Sequence, residues 1–112
     1  MSLNKDQIFA IEDVDYKVVD VPKWGDVRIK AMSIIEQIEF ENLNRTKKDD
    51  SDLIFNMLAI CCVDDNGDRL FNKEDIPALQ KKSSAPVLFL FQECLSFNSM
   101  QPGELEKQAK NS

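Results

Sequence analysis

The sequence predicts an α+β fold, an N-terminal β-hairpin or small antiparallel sheet followed by about four helices. Three observations predict it. Two short runs rich in β-branched residues flank a Pro- and Gly-containing turn near the start of the chain, which is the pattern of a hairpin. Beyond residue 32 the apolar residues recur at helical rather than strand spacing, with capping residues before each run. The 112 residues, 43% apolar and 30% charged, suffice for one globular domain that buries about two thirds of its extended-chain surface around a single modest core.

Taken in order, Ile8-Phe9-Ala10-Ile11 is too short for periodicity to separate a strand from a short helix. Residues 16–21 and 27–32 read as strands, the second with apolar alternation at Val27, Ile29 and Ala31, and Pro22 to Asp26 supplies the turn between them. Ser33 followed by Glu36 has the form of a capping box, after which Ile34, Ile35, Ile38 and Leu43 fall near one face of a helix over about 34–44. A charged break follows. A second helix over about 53–62, capped by Ser51 or Asp52, carries Leu53, Ile54, Met57, Leu58, Cys61 and Cys62 on one broad apolar face. Asn72 is a good N-cap for a third helix over about 73–81, and Lys73, Glu74 and Asp75 place two carboxylates at the positive end of its dipole. Pro77 falls too late for the first helical position, so that helix either starts nearer to it or loses an early hydrogen bond.

The fourth helix, Pro86 to about Phe97 and capped by Ser83 or Ser84, is the most apolar element. Val87, Leu88, Phe91, Cys94 and Leu95 make one face, and Phe89, Leu90 and Phe97 spill around its sides. Such a helix is either enclosed by its own domain or shares a face with another chain. The domain is expected to span residues 1–98, with 99–112 a polar, flexible tail.

Composition narrows the function classes. There is no histidine, which removes histidine bases, Ser-His and Cys-His nucleophiles and imidazole metal ligands. The three cysteines have no CxxC spacing and are odd in number, so structural zinc and a disulfide framework are not expected; reduced thiols in a cytoplasmic protein are. The isolated Gly25, Gly67 and Gly103 form no phosphate-binding loop. No apolar run is long enough to span a bilayer, and the opening Met-Ser-Leu-Asn-Lys-Asp has no signal core. The net charge of −6 lies in residues 49–80, which hold eight acids and two bases. That field disfavours nucleic acid and anionic membranes and suits solubility or a basic protein partner.

The run Cys62 to Leu79 resembles a calcium loop at first sight. With Gly67 as the sixth loop residue, however, Cys62 falls on the first ligand position and Lys73 on the twelfth, where calcium needs carboxylate oxygen. The same residues fit a turn at Asp65-Asn66-Gly67-Asp68, then the apolar pair Leu70-Phe71, then the Asn72 cap. A Mg²⁺-dependent enzyme built on Asp64, Asp65 and Asp68 is the remaining catalytic reading. Solvated acidic turns are far commoner, so no enzyme, metal or cofactor is expected.

Trp24, in the hairpin turn, either folds back over the core or stands out as a contact residue. Folding back is the default.

The strand-turn-strand Val21-Pro22-Lys23-Trp24-Gly25-Asp26-Val27-Arg28-Ile29 with its following helix from Ser33, the helix-to-turn run Leu58 to Phe71, and the segment Asn72-Lys73-Glu74-Asp75-Ile76-Pro77-Ala78-Leu79 together resemble the small tail assembly chaperones of long-tailed bacteriophages and prophages. The resemblance covers roughly residues 14–97 and lies in the order and spacing of the motifs. It implies a non-enzymatic, oligomeric factor of the host cytoplasm, absent from the mature virion. Such a factor binds and solubilises the long helical tape measure protein and helps recruit tail tube protein subunits, and many members also make a longer frameshifted product. With no catalytic motif to carry over, partner binding is expected at Trp24, Phe89, Leu90 and Phe97, with the Phe89–Leu90 part of the apolar helix as its centre. The alternative is a small acidic adaptor or inhibitor whose middle third meets a basic protein.

Overall fold

The computed structural model describes residues 1–46 and 49–98. The expected 99–112 tail lies outside the described residues. Helix α1 (Lys5–Ala10) precedes the hairpin β1 (Tyr16–Val21) and β2 (Gly25–Lys30), and α2 (Ile34–Arg45), α3 (Ser51–Cys61), β3 (Cys62–Val63), α4 (Ile76–Leu79) and α5 (Ser84–Phe97) follow. The sheet is antiparallel in the order β1-β2-β3. This is the small α+β fold expected from the sequence, with one helix placed before the sheet and a third strand added to it.

The hairpin closes where Val21 pairs with Gly25. Lys23 at φ 70° and Gly25 at φ 103° make the reversal, and the Trp24 N–H donates to Val21 O at 3.1 Å. The register sets Lys17, Val19, Val21, Val27 and Ile29 on one face, because alternate residues of a strand point to the same side. That face is covered by α5, which packs on α3 as well as on β1 and β2. Val19, Val21, Ile29, Phe40, Met57, Leu58, Ile60, Cys61, Leu90, Cys94 and Leu95 form one buried core between sheet and helices.

Helix ends follow local chemistry. The Ser33 hydroxyl accepts from the Glu36 N–H at 3.3 Å while the Glu36 carboxylate accepts from the Ser33 N–H at 2.9 Å, so the capping box starts α2 where the sequence places it. At α3 neither Ser51 nor Asp52 is the cap; Asp50 holds that position without a side-chain cap bond. The Asp49 carboxylate accepts from the Ser51 N–H instead, at 2.9 Å. Ser83 precedes α5 but makes no side-chain cap bond.

The strand expected over 27–32 runs Gly25–Lys30, because its pairing with β1 begins at Gly25, and two expected helices change for identifiable reasons. The helix expected over 53–62 stops at Cys61, because Cys62 and Val63 pair with Ile29 and Arg28 as β3. The helix expected over 73–81 is instead a 3₁₀ turn, Lys73–Asp75, followed by the short α4. Asn72 caps that turn by accepting from the Glu74 N–H at 3.1 Å, and Pro77, which has no N–H to lose, sits in the first turn of α4. Ile8 to Ala10 are helical, which decides between the two readings of that segment.

Candidate interaction surface

The structure separates the four residues expected to bind a partner. Trp24, Phe89 and Phe97 are half-buried and pack against the core. Leu90 is fully buried, at 0% exposure, and belongs to the core rather than to the surface expected for it. The reason is geometric. At about 100° per residue, Pro86, Val87, Leu90, Phe91, Cys94 and Leu95 span one wide arc of α5, and all six are buried because α3 and the sheet meet that arc together. Leu88 lies beyond its edge and is 45% exposed.

Beside Leu88 runs an open groove of about 190 Å³ between α3, α4 and α5. Ile54, Phe55, Leu79, Val87 and Leu88 give it an apolar floor, and Ser51, Gln80, Lys82 and Ser84 complete its lining. The four-residue length of α4 keeps it short. Its volume falls below the range of small-molecule sites and suits one or two anchoring side chains of another chain.

A second apolar surface lies elsewhere. None of the α1 residues is buried, and Leu3, Ile8, Phe9 and Ile11 are 58%, 49%, 78% and 50% exposed. On α2, Ile34, Ile35 and Ile38 are 76%, 69% and 44% exposed, while Phe40 alone is buried. Val18 on the outer face of β1 adds to this exposure, at 59%. The clustering of Ile34, Ile35 and Ile38 is visible in the sequence; that it faces away from the core is not.

Polar contacts hold these surfaces in place. Lys30 Nζ lies 2.8 Å from the Glu36 carboxylate, and Arg69 makes a two-pronged contact with Glu39 at 2.8 and 3.0 Å. Burial works against the charge on Glu36, but bonds from Lys30 and Ser33 outweigh it and hold its carboxyl below the ordinary range. The bond from Arg69 does the same for Glu39.

The turn first read against a calcium loop is organised by its own carboxylate. Asp64 Oδ1 accepts from the Asn66 and Asp68 N–H groups at 2.8 and 3.0 Å, an Asx-type turn. Arg28 ties it to the sheet, donating to Asp65 O at 2.7 Å while stacking 4.3 Å above the Tyr16 ring. Among the described residues no three acidic, cysteine or histidine side chains converge as metal ligands.

Cys61, Cys62 and Cys94 are buried free thiols. The contact with Cys94 and burial push the Cys61 thiol up. Cys61 draws the Cys94 thiol down, but Cys62 and burial outweigh it and leave the group raised. Both therefore act as core side chains rather than nucleophiles.

No helix among the described residues is long and apolar enough to cross a membrane. Comparison with protein-family models, curated proteins and solved structures returns no significant match.

Proposed function

We propose that this chain is a tail assembly chaperone of a long-tailed bacteriophage or prophage. In this reading it works in the host cytoplasm, outside the mature virion, as a homo-oligomer that binds and solubilises the tape measure protein and helps recruit tail tube protein. The observation that carries the reading is the groove beside Leu88, an open apolar site on the flank of the apolar helix α5. A holding factor for a long helical protein needs such a surface, because exposed apolar stripes on the client otherwise associate with one another. A groove of this kind accepts the i, i+3/i+4 anchors of an amphipathic helix. The order of the Trp24 hairpin and the Asp64–Asp68 turn supplies the family resemblance.

The test is co-expression with a tape measure protein, the long helical client this reading requires. Leu88→Asp is expected to abolish co-purification while far-ultraviolet circular dichroism stays unchanged, since Leu88 is exposed and outside the core. Undiminished co-purification refutes the assignment of the groove.

A second reading draws on the exposed Asp65, Asp68 and Glu74 of the acidic middle third, which suit an adaptor for a basic protein. Salt separates the two. An electrostatic complex dissociates as screening rises, whereas an apolar helix-in-groove contact persists.

A further inference from the structure

We propose that α1 is an exchanged arm, seated in solution on the α2 face of a second copy of this chain, with the reciprocal contact closing a two-fold dimer. The helix has six residues and buries none of them, whereas isolated helices shorter than about 12–15 residues are marginal in water. Its end is nevertheless fully specified. Asn4 accepts from the Gln7 N–H at 2.8 Å, and the Gln7 side chain accepts from the Asn4 N–H at 2.9 Å. A capped helix with Ile8, Phe9 and the flanking Leu3 and Ile11 all exposed is built to be covered by something beyond its own fold.

The complementary surface is Ile34, Ile35 and Ile38, and the chain path brings the two together. The Ala31 N–H donates to Asp15 O at 2.9 Å and Tyr16 pairs with Lys30. The root of the arm therefore leaves the hairpin at the same end at which α2 begins. Between arm and strand, Glu12, Asp13 and Asp15 place three acids among four residues. Such a linker repels itself and extends, which carries the arm away from its own α2 and toward a neighbour. Two copies related by a two-fold axis beside this end exchange arms by one and the same contact, made twice.

The area agrees. Taking roughly 150–200 Å² for each large apolar residue when fully exposed, the seven residues at their observed exposures present roughly 600–850 Å² per copy. A specific interface takes about 800 Å² from each partner. This inference rests on the homo-oligomer of the tail-assembly reading but uses a surface separate from the Leu88 groove, so loss of the dimer and loss of client binding are distinguishable.

The experiment combines sedimentation equilibrium of the full chain with disulfide trapping. The wild type is expected to dimerise, and Phe9→Glu or Ile35→Glu is expected to weaken association about 30-fold or more, as for a central interface residue, with circular dichroism unchanged. In trapping, copies carrying Phe9→Cys mixed with copies carrying Ile35→Cys are expected to cross-link to each other. A wild-type chain that stays monomeric at every concentration overturns the proposal. So does a dimer indifferent to both charged substitutions. A third overturning result is a disulfide that closes within one monomeric chain carrying both cysteine substitutions, which would return the arm to its own α2.

Discussion

Replacing Glu36 with Gln tests how the polar contacts hold α2 against the sheet. Gln retains the shape of the side chain and its capacity to complete the capping box with Ser33, so the change isolates the charge. What is lost is the negative charge in the 2.8 Å contact with Lys30, in which the two side chains are only 13% and 15% exposed, and in a longer 3.9 Å approach to Arg69. Hydrogen bonds to charged groups contribute about 1.5–3 kcal/mol and exposed ion pairs about 0–1 kcal/mol. A pair that solvent still reaches falls between them, so the expected loss is about 1–2 kcal/mol. With a urea dependence near 2 kcal/mol per molar, the midpoint of unfolding should fall by about 0.5–1 M at pH 7. The pH dependence carries its own sign. The folded-state carboxyl is held below the ordinary glutamate value of about 4.5. Its contribution is therefore complete above that value and disappears as pH falls through the depressed folded value. The gap between wild type and Glu36→Gln should accordingly close on acidification. Equal midpoints at pH 7, or a gap that persists undiminished into acid, would refute the reasoning.

Two other substitutions probe the joints of the fold. Gly67→Ala should cost roughly 1–2 kcal/mol, because Gly67 has φ 86° and an added Cβ lies 3.3 Å from the Tyr16 hydroxyl. Gly25→Ala, with φ 103° and no neighbour within 4 Å, carries the backbone strain alone and should cost less; urea midpoints of the two variants give the comparison. Asn98→Ala should cost about 1–3 kcal/mol. The Asn98 side chain accepts from the Met32 N–H at 2.7 Å and donates to Cys94 O at 2.9 Å; faster amide exchange at Met32 is the local signature that checks it.

The elements legible in the sequence are those whose cause is local. The hairpin follows from its turn and alternation, the start of α2 from Ser33 and Glu36, and the turn at Asp65-Asn66-Gly67-Asp68 from Asn66 and Gly67. What escaped depends on partners distant in the chain. Nothing in Cys62-Val63 distinguishes a strand from the end of the preceding helix, because the pairing with Ile29 and Arg28 that makes it one lies more than thirty residues away. Leu88 and Leu90 belong to a run too uniformly apolar for periodicity to orient. Only the positions of α3 and the sheet decide that one is core and the other surface. The Asn98 bridge to Met32 has no local signature at all.

Helix α2 shows the same limit with a functional consequence. Its apolar residues alone favour turning Ile34, Ile35 and Ile38 inward, since burying them is worth more than burying one phenylalanine. The structure does the opposite, and polar contacts accompany it. Glu36 and Glu39 lie on the same side of the helix as Phe40, within about 100° of arc, and each is held by a cation fixed elsewhere: Lys30 at the end of β2 and Arg69 beyond β3. These two contacts fit the observed rotation, with Phe40 in the core and the isoleucines outward, but at about 1–2 and 0–1 kcal/mol they do not outweigh three isoleucines at roughly 1.5–3 kcal/mol each. A rotation that leaves three isoleucines in water is costly for an isolated chain. It becomes favourable once a second surface covers them, and the arm that leaves the sheet beside Ile34 has the apolar residues to do so.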